Sequence, residues 1–178
     1  PVRQHRQGRH PLLRGQALGQ LILKMIKLLC LSLFAMLSGV LPGGNAQEWP
    51  RFRGPNGTGI GLAKGIPSKF TVADAAWRVA LKGKGHSSPV LWGDRVFITG
   101  HDAAKGTFVV QCLKAEDGSE AWSVARPHRR HRVHKFNQLA TSTPATDGRR
   151  LVVLVSEPGM HTVFALAMNG KKLWEKKF

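Results

Sequence analysis

Between residues 77 and 178 the apolar positions come in short alternating runs, each bounded by Gly, Pro, Asp or Asn. Runs of this length and punctuation predict β-strands joined by tight turns. The predicted strands are WRVAL (77–81), SPVLW (88–92), RVFIT (95–99), TFVVQCL (107–113) and EAWSV (120–124), then TPAT (143–146), RLVVLV (150–155), HTVFALA (161–167) and KLWEKK (172–177). After Ala46 no stretch sustains a helical period, so the fold class is all-β.

The two series superimpose. SSPVLWGDRVFIT aligns with STPATDGRRLVVL, which puts Pro89 and Pro144 in register; CLKAEDGSEAW aligns with ALAMNGKKLW, which does the same for Trp122 and Trp174. Four-stranded units repeating at about 40–50 residues predict propeller blades, here at about 86–126 and 140–178. Each repeated residue has a structural task in such a blade. Pro89 and Pro144 open the innermost strand, where a missing N–H costs little. The Gly93-Asp94, Asp117-Gly118, Asp147-Gly148 and Asn169-Gly170 pairs supply the positive φ of two-residue hairpin turns. Trp122 and Trp174 begin the outermost strand and fill the gap between blades. Trp77 leads the series in the same way, so Trp77, Trp122, Trp174, Gly118, Gly170, Pro89 and Pro144 are the expected blade-docking residues.

The motif CLKAEDGSEAW (112–122) and its shortened copy ALAMNGKKLW (165–174) resemble the repeat of the pyrroloquinoline-quinone (PQQ) enzymes, a β-propeller family. EWPRFRGPNGTGI (48–60) and HKFNQLATSTPATDG (134–148) resemble segments of its secreted bacterial subgroup. The likeness covers essentially all of the chain after Ala46. It implies a partial propeller of about two blades, an N-terminal fragment of a longer ring. In this family the repeat motif chiefly docks blade to blade, while quinone and calcium sit on the axis, held by residues outside it. The copies here depart from the pattern: the motif's Asp is Lys114 in one and Ala167 in the other, and its Thr is Asp117 in the first. Neither a calcium-type acidic cluster nor an adjacent cysteine pair is visible, so the resemblance implies fold far more than activity.

Upstream, Lys24–Lys27 precede the apolar run 28–41, and Gly44 and Ala46 stand at the −3 and −1 positions of a cleavage site. Residues 24–46 are therefore expected to be an export signal, too short for a comfortable membrane span of about 20 residues. Residues 1–23 are basic and acid-free, expected to be disordered or an upstream extension, and 47–76 a coil leading to the propeller at 77–178. Of the 27 Lys and Arg, six precede Ala46, whereas all 10 Asp and Glu follow it, so the exported part keeps a surplus of 11 positive charges. That surplus biases the protein toward anionic partners. Cys30 would leave with the signal, and it makes a poor lipobox cysteine beside the large Leu29. Cys112, in an alternating run, reads as a small buried hydrophobe.

Candidate chemistry is sparse. The Gly85–Gly100 stretch sets His86 beside Ser87 and Ser88, but it lacks a G-x-S-x-G elbow, and a nucleophile and its base usually come from distant segments. No catalytic residue is assigned. Arg126 to Lys135 is a dense run of Lys, Arg and His. It lies in a lengthened linker, since Trp122 to Pro144 spans nearly twice the chain of Trp77 to Pro89. An insertion of this kind lies on one face of a propeller, where function is often carried. Arg126, Arg129, Arg130, Arg132 and Lys135 are candidate polyanion contacts, and His86 a candidate ligand contact near the axis. The spacing His128-x-x-His131-x-x-His134 between arginines is poor for a metal, and none is assigned. No aromatic ladder accompanies the charges, so there is no strong nucleic-acid signal.

The expectation is an exported, non-catalytic propeller module of the periplasm, cell envelope or extracellular space. Its partner would be a protein or envelope component, no cofactor is evident, and after signal cleavage it would not be an integral membrane protein. The alternative is a PQQ- and calcium-dependent alcohol or sugar dehydrogenase whose axial site lies in further blades.

Overall fold

The computed structural model describes residues 48–178, so the expected signal and the segment before it lie outside the described residues. Two four-stranded antiparallel sheets follow one another. The first contains β1 (Val90–Trp92), β2 (Arg95–Asp102), β3 (Thr107–Lys114) and β4 (Glu120–Pro127); the second contains β5 (Ala145–Thr146), β6 (Arg150–Glu157), β7 (Met160–Ala167) and β8 (Lys172–Lys177). Each sheet is a meander with strands in chain order, which is the blade of a partial propeller. A single 3-10 turn, Val72–Asp74, is the one helical element among the described residues.

Strand register explains how the blades stack. Phe97 lies opposite Cys112, which lies opposite Trp122, and Thr99 opposite Val110. Cross-strand partners share a face, so Val90, Phe97, Val110, Cys112 and Trp122 form one side of the first sheet. That side packs on Leu151, Val153, Val155, Phe164 and Leu166 of the second in one continuous core. By the same register Val152, Ala165 and Trp174 share the opposite side of the second sheet. There Leu154, Leu173 and Trp174 remain exposed, at 39%, 51% and 42%.

The sheets are locked by tryptophan. The Trp122 indole N–H donates to the Met168 carbonyl of the second blade at 2.8 Å. Trp77 makes the equivalent bond to Ala115 of the first blade at 2.9 Å. In both cases the ring lies over the glycine of the same turn. A Cβ on Gly118 would come within 2.5 Å of Trp77, and one on Gly170 within 2.9 Å of Trp122. Both glycines also hold positive φ, 71° and 86°. Two independent requirements, backbone hand and absent Cβ, thus fall on one residue.

Two expectations need correction. The segment 77–81 belongs to neither sheet, although Trp77 docks as Trp122 does. A strand needs a hydrogen-bonding neighbour, and 77–81 has no β partner among the described residues. Of the four turns, only Gly93-Asp94 has two residues, closing Trp92 onto Arg95. Asp117-Gly118 and Asn169-Gly170 sit in longer loops, 115–119 and 168–171, because those loops must also present the carbonyls that receive the indoles.

The WPRFRGP segment does more than lead in. Trp49 exchanges two backbone hydrogen bonds with Leu91, each 3.0 Å, and the Pro50 carbonyl accepts from the Thr146 amide at 2.8 Å. It therefore binds the innermost strands of both blades together and covers an otherwise open edge.

Gly170→Ala is expected to lower stability by about 1–3 kcal/mol, combining φ strain with overpacking. Trp122→Phe in the same background should recover part of that loss by shortening the ring. Urea unfolding of the single and double variants checks this; strictly additive losses would show that ring and glycine do not press on one another.

Candidate functional site

The lengthened linker leaves β4 at Pro127 and crosses above the seam between the blades. His128 turns inward: it is 2% exposed, its amide donates to the Gly106 carbonyl at 2.9 Å, and its Nε2 lies 3.3 Å from the Ser156 carbonyl. Arg129 is held to the second blade by hydrogen bonds, its amide N–H donating to the Glu157 carboxylate at 2.6 Å and its guanidinium to the Pro158 carbonyl at 3.3 Å. Farther on, the Ala140 carbonyl accepts from the His86 amide at 2.8 Å, and the Ser142 carbonyl accepts from Thr99 Oγ1 at 3.2 Å. Anchored at both ends, the linker arches over the end of β2.

Under the arch lies a cleft of about 590 Å³ lined by Arg130, His131, Arg132, His134 and Lys135 from the linker, with Asn137, Gln138 and, from β2, His101. The lining includes no carboxylate. The His101 and His128 rings meet edge to face at 5.1 Å, and His128 meets His131 at 5.9 Å. His101 is 5% exposed, yet its Nε2 has no hydrogen-bond partner among the described residues; the same holds for His128 Nδ1. Burial, followed by the neighbouring His128, pushes the His101 imidazole below its ordinary value.

The structure divides the sequence candidates. Arg130, Arg132 and Lys135 line the cleft together. Arg126 lies apart from it, its guanidinium 5.1 Å from the centre of the Phe164 ring and 3.6 Å from Glu175, where it links the two blades. Arg129 is likewise engaged with the turn after β6. His86 is exposed, and its backbone rather than its ring holds the linker. The adjacent serines make backbone contacts: Ser88 N–H donates to Thr143 Oγ1 at 3.0 Å, and Ser87 Oγ lies 3.3 Å from the Ser88 carbonyl. Pro89 and Pro144 immediately precede β1 and β5. Cys112 is buried, which pushes its thiol up and away from nucleophilic chemistry. Among the described residues no three His, Cys, Asp or Glu side chains are placed to hold one metal ion.

His101 escaped the sequence reading. It follows Phe97 and Thr99 on the inward face of β2, and that alternation was the one available signal. Its pairing with His128 arises only when the linker folds back.

The PQQ-repeat family model described as outer membrane protein assembly factor BamB matches residues 73–178. The crystal structure of BamB from Moraxella catarrhalis superimposes with a TM-score of 0.44 and 19% identity, covering 57% of this chain and 27% of that one. This chain thus spans roughly a quarter of that structure's length. No curated protein matches.

Because the folded state depresses the His101 pKa, its contribution to stability is present above 6.5 and is lost as pH falls through the folded value. Of the flanking groups, His128 opposes its protonation through its ring and favours it through a backbone hydrogen bond, Asp102 favours it, and Arg130 opposes it. An NMR titration is expected to place the His101 midpoint below 6.5; a midpoint at or above that value contradicts the burial described.

Proposed function

The chain belongs to the PQQ-repeat family of outer membrane protein assembly factor BamB, and from that membership we propose that it is an exported, non-catalytic propeller module of the cell envelope that binds a protein or another envelope component. The family match carries this reading, since it spans both sheets and the docking segment before them. The arrangement of the repeat supports it: the residues shared by the two blades serve to join blades. Trp122 and Trp77 dock on Gly170 and Gly118, and Pro89 and Pro144 stand at the inner edges. Export is supported by the basic, apolar and small-residue succession of residues 24–46. Among the described residues no helix is long and apolar enough to cross a membrane.

A propeller suits such work because successive blades fix loops from different parts of the chain on one rigid face. Here the seam between the blades is closed by an indole bond, a shared apolar core and the Glu48–Pro50 staple, whose Glu48 carboxylate also accepts from the Gly93 amide at 3.0 Å. The linker arch therefore stands on a stiff base and can present its basic side chains with little loss of entropy on binding.

The full-length exported protein, titrated with PQQ and calcium, is expected to show no stoichiometric binding and no dye-linked oxidation of alcohols or sugars. Its mature N-terminus is expected at Gln47, in the envelope fraction. Tight one-to-one quinone binding with substrate-dependent dye reduction would overturn the module reading and install the dehydrogenase in its place.

A further inference from the structure

We infer that the cleft beneath the linker arch is a binding site for a phosphate-type oxyanion. Three features carry this, independently of the family match.

The first is the charge of the wall. Arg130, Arg132 and Lys135 bring three fixed cations to one cleft, with the amides of Asn137 and Gln138 beside them and no Asp or Glu in the lining. Six cations elsewhere among the described residues do meet a carboxylate. Lys82 meets Glu120 at 2.6 Å, Arg95 meets Asp94 at 3.1 Å, and Arg150 meets Asp147 at 3.1 Å. Like charges gathered without a counter-ion repel one another, and an anion removes that repulsion. Arginine suits the purpose, because its planar fork matches two phosphate oxygens at once.

Second, the floor of the cleft holds a buried, unsatisfied polar group. His101 is 5% exposed and lines the cleft, and its Nε2 has no partner among the described residues. A buried ring nitrogen left unpaired loses its hydration without a compensating bond. Nε2 is sealed from solvent, so an oxyanion at the floor accepts a hydrogen bond from it only as the ring turns to expose that nitrogen. His131 and His134 on the wall provide further donors when protonated.

Third, the arch is fixed. The Arg129 anchor to Glu157 and the His86 anchor to Ala140 bracket the lining residues, so the cations are held around the space rather than on a free tail. The cleft of about 590 Å³ accommodates a phosphorylated headgroup or sugar phosphate. Both sources present the same chemistry, a phosphoryl group at the end of a larger molecule.

The test titrates the full-length protein calorimetrically with inorganic phosphate and a soluble sugar phosphate. In parallel it is sedimented with phosphatidylcholine vesicles that contain or lack phosphatidic acid. Saturable binding is expected in at least one arm; the soluble arm alone identifies a free phosphate ester, and the vesicle arm alone a lipid headgroup. Arg130→Gln with Arg132→Gln should weaken that binding at least about tenfold, as loss of charge-assisted bonds predicts. Arg149→Gln with Lys114→Gln, which removes equal charge outside the cleft, should leave it within about twofold. His101→Gln should also weaken it, and the His101 ring resonances of the unmodified protein should move as ligand is added. Circular dichroism melting confirms that each variant is folded. Should His101→Gln fail to fold, the Arg pair and the ring resonances decide. Absence of binding in both arms overturns the inference. So does binding to which the two charge-matched pairs of substitutions contribute equally.

Discussion

An indole laid over a glycine of the neighbouring blade is the interaction on which this structure depends. A four-stranded meander has two apolar faces and cannot bury either alone, so its stability is a property of the stack. The indole solves the problem of register between blades. Its apolar body needs a surface without side chains, which Gly118 and Gly170 provide, and its N–H needs one carbonyl, which Ala115 and Met168 provide. Both conditions are met only at one relative placement of the two sheets. Positive φ at the same glycines shapes the turn that brings the carbonyl forward. Removing either partner would thus loosen turn and interface together.

The same geometry constrains the linker. With the seam fixed, little chain is needed to pass from a docking tryptophan to the next inner strand, as the short passage from Trp77 to Pro89 shows. The additional length after Trp122 ties the two blades together through His128, Arg129 and Ala140. It rises over the seam, pinned by Arg129 and Ala140, and encloses the basic cleft against His101. Repeated positions join blades, and the unrepeated insertion both joins them and lines the cleft.

Much of the fold was legible because blade chemistry is local. Alternation, turn residues and the spacing of Pro89 with Pro144 located all eight sheet strands, and KLWEKK coincided with β8. Segment 77–81 read as a strand because its composition is that of one, but pairing is a tertiary property and composition cannot supply the neighbour. Turn lengths around Gly118 and Gly170 were missed for a similar reason, since each indole and its acceptor are far apart in the chain. Of the candidate site, the cations were visible as a run, but their division was not. Arg126 is drawn to Glu175 and Phe164 on the second blade, whereas Arg130 and Arg132 line the cleft. His101 was invisible because its partner, His128, lies beyond two further strands on a linker without regular structure.

Hydrogen exchange at the Trp122 indole tests the central claim most directly. If the indole bond to Met168 holds the two blades as one cooperative unit, this N–H exchanges only through the opening that also releases the buried amides of Val110 and Val153, with the same free energy and denaturant dependence. Exchange of the Trp122 indole at the rate of a free peptide, while those amides stay protected, would mean that the sheets part independently and would contradict the account.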